Sequence, residues 1–106
     1  MEEYNIEPDW KIYRANIARW QENYMAKLLT EYRKIIDSPL APSKRFWQLY
    51  KKINKDKRSP GVIIESKRSI LLTNLAQLLI DGAITTDDLS QFSEYVQKRV
   101  KLYCGI

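Results

Sequence analysis

The chain is 106 residues long, 44% hydrophobic and 29% charged, with a formal net charge of +5. It has no histidine and one cysteine, Cys104, which excludes Ser-His and Cys-His nucleophiles, zinc fingers, iron–sulfur ligation and an internal disulfide. The length suits a single helical domain, residues 1–106, that buries a modest core without a metal or cofactor.

Residues 1–9 carry Glu2, Glu3, Glu7 and Asp9, a charge of −4, and residues 1–8 are expected to form a flexible, solvated acidic end. A signal peptide needs a positive start and an apolar stretch. The aliphatic runs here stop at three residues, such as Val62 to Ile64 and Leu78 to Ile80, against roughly 20 for a membrane span. A cytoplasmic protein is expected.

From Asp9 to Ile36, Trp10, Tyr13, Ile17, Trp20, Tyr24, Leu28, Tyr32 and Ile35 recur every three or four residues. They predict one amphipathic helix, approximately 9–36, with Trp10 and Trp20 on its apolar stripe. Pro8 suits its first turn and Asp37-Ser38-Pro39 its end. Such a helix is about 42 Å long and would protrude from a globule of this size. Its aromatic stripe then has to meet another subunit, a partner, or its own chain after a kink, and a homodimer through the first helix is one expectation.

A second helix, 43–54, starts at Ser43 as N-cap, with Phe46, Leu49, Tyr50 and Ile53 as its buried face and Trp47 at the border. Asn54 to Gly61 reads as a loop broken by Pro60-Gly61. A third helix is expected over 62–80, built on Leu71, Leu72, Leu75, Leu78 and Leu79 and stopped at Asp81-Gly82. A capping box from Thr85 to Asp88 opens the fourth, 86–103, with Leu89, Phe92, Val96, Val100 and Tyr103 at helical spacing. The fold class is all-α: about four helices in a small bundle, the last two as an antiparallel hairpin.

Two partial motifs fail on their own chemistry. Asp81 to Asp88 resembles the second half of a calcium loop, but Gln77 and Leu79 stand where the first ligands belong. Gly61 to Arg68 lacks the second glycine of a P-loop and has Arg68 in place of the magnesium-binding hydroxyl.

What remains is electrostatic. Lys44, Arg45, Lys51, Lys52, Lys55, Lys57 and Arg58 stand against Asp56 alone, so residues 44–58 carry 7 − 1 = +6, with Trp47 among the cations. A patch of this kind attracts nucleic acid or an acidic protein surface. Lys67 and Arg68 are expected to extend it, in the first turns of a helix beginning near Gly61 whose free N–H groups favour phosphate. Lys51, Lys52 and Lys55 are expected to point to solvent.

From Phe46 onward the chain resembles small uncharacterised helical proteins of Gram-positive bacteria and their phages and mobile elements. The likeness rests on Phe46-Trp47, Asp56-Lys57-Arg58-Ser59-Pro60-Gly61-Val62, Asp81-Gly82-Ala83-Ile84-Thr85, Asp88-Leu89 and Phe92-Ser93. It spans roughly residues 46–93, implies a bacterial or phage accessory protein, and transfers no activity and no site. Taken together, the residues suggest a non-enzymatic regulatory protein binding nucleic acid or a nucleoprotein through residues 44–58. A protein-binding regulator, such as a phage-encoded inhibitor of a host complex or a bacteriocin-immunity-like protein, is the alternative.

Overall fold

A computed structural model describes residues 3–106 of the chain; Glu2, part of the expected acidic end, lies outside them. The described residues are helical throughout their regular structure, with no strand: α1 (Glu7–Ile36), α2 (Pro42–Asp56), a short 3₁₀ turn (Arg68–Ile70), α3 (Leu71–Ile80), α4 (Thr86–Leu89) and α5 (Glu94–Cys104). Among the described residues no helix is long and apolar enough to cross a membrane.

The molecule divides into a body and an arm. In the body, Trp10, Tyr13 and Trp20 of α1 pack with Leu71, Leu75 and Leu78 of α3, Leu89 of α4, and Phe92, Val96 and Val100 around α5. The Trp10 and Tyr13 rings stack at 5.3 Å, and Trp20 meets Phe92 at 6.3 Å. The two tryptophans expected on the apolar stripe are therefore both buried. The arm is the remaining half of α1 with α2 laid against it. Thirty residues of α1 run about 45 Å, and the whole measures 64 × 25 × 21 Å, with a radius of gyration of 16.8 Å. A chain of about 100 residues folded into a sphere-like domain has a radius near 13 Å. The arm accounts for the excess.

The N-terminal residues depart from the expected solvated end. The helix begins two residues early, at Glu7, with Pro8 in its first turn. Tyr4 stacks on Tyr95 with ring centroids 4.1 Å apart and donates a 2.7 Å hydrogen bond to Asp9 Oδ2. Burial, together with that carboxylate, holds the Tyr4 phenol well above its usual pKa. Asp9 itself is buried and accepts from the Ser93 N–H and hydroxyl, both at 2.7 Å.

Three further boundaries move. Helix α2 starts at Pro42, so Ala41 and not Ser43 is the N-cap, and it runs on to Asp56. The long third helix shrinks to ten residues, because Val62, Ile63 and Ile64 are β-branched in a row and resist helix. Residues 63–67 form an irregular strap against the body, held by a 2.8 Å hydrogen bond between the Ser66 and Tyr13 hydroxyls and by Asn74 Nδ2 donating to Glu65 O at 2.9 Å. The fourth expected helix is two. The Thr85–Asp88 capping box opens α4, the chain then turns, and Ser93 caps α5 by accepting from the Val96 N–H. Gly82 has φ 77°, the left-handed conformation that lets the chain leave α3.

Gly61 matters for a different reason, a close approach. A Cβ there would lie 2.3 Å from Cδ1 of Tyr24 and 2.6 Å from its Cγ, the root of the ring, which cannot swing clear cheaply. We expect Gly61→Ala to cost about 1–3 kcal/mol through overpacking. Thermal melts should show that loss, and in a Tyr24→Ala background the same substitution should cost less. An unchanged melting temperature for the single variant would remove the steric account.

Candidate functional site

At 3.6 residues per turn the side chains of α2 divide into three sectors. The first faces α1. Lys52 Nζ bridges Glu31 at 3.0 Å and Asp56 at 3.1 Å, and Tyr32 donates to Asp56 Oδ2 at 2.9 Å. Burial and the Asp56 carboxylate raise the Tyr32 phenol to about 12. The hydrogen bond to Glu31, and after it Asp56, raises the Lys52 ammonium against the opposing effect of burial. Arg45, also half-buried, donates to the Ile36 carbonyl at 2.7 Å and so caps the end of α1. Lys52 and Arg45 are therefore fastenings of the arm. The expectation that Lys52 points to solvent is corrected by its two carboxylate partners.

The second sector holds Lys44, Gln48, Lys51 and Lys55, at spacings of four, three and four, all exposed. None of the three lysines makes an ion pair among the described residues. At the edge of this stripe stands Trp47, 58% exposed, edge-on to Phe46 at 5.1 Å and Tyr50 at 5.7 Å. The indole does not cover the core edge, as a border position suggested. Lys44, Trp47, Gln48, Lys51 and Ser43 enclose a shallow recess of about 270 Å³. Lys55 continues the stripe to Arg58, and both line a second recess with Tyr24, Gln77 and Asp81.

The third sector is apolar and uncovered. Phe46, Tyr50 and Ile53 are 63%, 54% and 41% exposed, where a buried face was expected. Only Leu49 is half-buried. Together with Leu29 and Ile36 of α1 they leave a strip of apolar surface on one side of the arm. Lys57 lies at its inner end, beside Met25, Ile53 and Val62, away from the lysine stripe.

The other two predicted cations do not join the patch. Arg68 pairs with Glu7 at 2.8 Å and lies over the Trp10 ring at 5.2 Å, while Lys67 pairs with Glu65 at 2.8 Å. Glu7 and Glu31, which hold Arg68 and Lys52, are 24 residues apart on α1, or about 36 Å. No helix begins near Gly61, so the expected phosphate corner there does not form. Of the ten residues proposed from sequence, Lys44, Trp47, Lys51, Lys55 and Arg58 share one surface. Gln48 and Ser43 are added to it by the fold. The helical period of α2 could have found Gln48.

Comparison with protein-family models, with curated proteins and with solved structures gives no match to the chain.

Proposed function

We propose that the protein is a non-enzymatic accessory protein that binds nucleic acid along α2. The observation carrying this reading is an exposed tryptophan set into a stripe of unpaired cations. Single strands are held by such surfaces, phosphates meeting the cations while bases stack on the aromatic face. Lys44, Lys51, Lys55 and Arg58 would follow the phosphates, and Trp47 would take a base over the recess it shares with Lys44 and Lys51. Phosphate contacts of this sort position the strand and carry little sequence information.

A labelled single-stranded oligonucleotide, titrated at several salt concentrations, tests the reading. Four phosphate contacts predict a log–log slope of about −3. Trp47→Ala should weaken binding about 5–100-fold through lost stacking. Changing Lys44, Lys51 and Lys55 together to glutamate should abolish binding and leave helicity intact, because no fold contact depends on those ammonium groups. A well-folded triple variant that binds as the wild type does would sink the proposal, as would salt-independent binding.

A further inference from the structure

We infer that the apolar side of the arm is the seat of a second copy of this chain, two arms closing into a four-helix junction. The face consists of Leu29 and Ile36 from α1, 65% and 50% exposed, and Phe46, Tyr50 and Ile53 from α2. Between the helices runs an open groove of about 610 Å³, floored by Tyr32 and Leu49. It continues past Ile36 to Phe46 and Pro42.

Area points to the occupant. An aromatic side chain buries 150–250 Å², so the five exposed residues present on the order of 500 Å² of apolar surface. Two such faces give about 1,000 Å², and with the usual polar share of an interface the total comes to roughly 1,600 Å², the size of a standard stable complex. Symmetry points the same way. A two-helix arm is apolar on the side it does not use internally, and pairing it with its own copy completes a four-helix arrangement. The groove rim carries Arg33 in the last turn of α1 and Asp37, the residue that caps it, and neither makes an ion pair within the described chain. About a two-fold axis Arg33 of one copy can meet Asp37 of the other, while Lys57 stands at the inner end of the strip and Arg45 is held by the Ile36 carbonyl. The lysine stripe lies in another sector of α2 and stays in water.

Sedimentation of the full chain tests this directly. At about 100 μM, where an interface of standard size is populated, we expect a species of about 25 kDa, twice the 12.6 kDa chain. Leu29→Glu with Ile36→Glu should raise the dissociation constant at least about 100-fold. Phe46→Glu, on the other helix, should do the same and covers the case in which the α1 variant misfolds by circular dichroism. The Lys44, Lys51 and Lys55 glutamate variant should dimerise as the wild type does, which separates this face from the nucleic-acid surface. A monomeric wild type, a dimer that survives both folded substitutions, or a dimer seen only with nucleic acid present would each overturn the inference.

Discussion

Asp9→Ala is expected to cost about 3–4 kcal/mol. Asp9 is 2% exposed and accepts three hydrogen bonds, from the Tyr4 hydroxyl and from the N–H and hydroxyl of Ser93. Hydrogen bonds to an ionised group contribute about 1.5–3 kcal/mol each, and a donor stranded by the loss of its partner adds its own desolvation cost. The three are not independent, so their sum overstates the effect. Asp9 also joins two parts of the chain 84 residues apart, the start of α1 and the cap of α5. The melting temperature should fall by roughly 10–25 °C, and the Tyr4–Tyr95 stack should loosen with it. Asp9→Asn retains an acceptor and should lose less. A melting temperature within 2–3 °C or so of wild type for Asp9→Ala would show that the joint contributes little.

The sequence pattern and the structure agree where periodicity is long and local chemistry is unambiguous. The recurrence from Trp10 to Ile35 spans seven turns and admits only a helix. The Leu71–Leu79 face, the stop at Asp81-Gly82 and the Thr85–Asp88 box all reappear as expected. Disagreement arises where one pattern fits two conformations. Val62-Ile63-Ile64 is apolar enough for a buried helix and β-branched enough to leave it, and the contact that holds the segment, between the hydroxyls of Tyr13 and Ser66, joins residues 53 apart. The fourth helix reads as one in the sequence because Leu89, Phe92, Val96 and Val100 keep helical spacing across the turn between α4 and α5. The signal that was there to read is Ser93 followed by Glu94, an N-cap with an acid in the first turn.

The candidate site was legible only as a charge density. Which cations are free depends on partners far away in sequence: Lys52 meets Glu31 across 21 residues, and Arg68 meets Glu7 across 61. The apolar face of α2 shows the same limit from the other side. Amphipathic spacing reveals which side of a helix is apolar. It does not say how far a neighbour covers that side, and here Phe46, Tyr50 and Ile53 stay 63%, 54% and 41% exposed.

The arm and body are fastened by separate buried carboxylates, and this gives the second large prediction. Asp56→Ala should loosen α2 from α1 by about 2 kcal/mol and leave the body folded. Asp56 receives the Tyr32 hydroxyl and the Lys52 ammonium, and substantial packing of α2 is against α1 alone. Beyond α2, Ser59 Oγ donates to Asp81 Oδ2 at 3.0 Å and holds the following turn to the body independently. Local opening is therefore the cheaper response. Amides of α2 should exchange with solvent about 30-fold faster, while those of α3 and α5 keep their protection. The Tyr32 phenol, raised to about 12 in the wild type by burial and by Asp56, should fall back toward the ordinary value near 10. The linkage has a definite sign. A phenol whose folded pKa is raised contributes stability that is fully present below pH 10 and is lost as pH climbs through 12. The wild-type arm should therefore open across that alkaline window, the Lys52 ammonium losing its charge there as well, and the Asp56→Ala arm, which keeps only the Lys52–Glu31 bridge, should show a smaller change. Equal acceleration of exchange in α2 and in the α3–α5 core would mean that arm and body unfold as one unit, and the division between them would have to be abandoned.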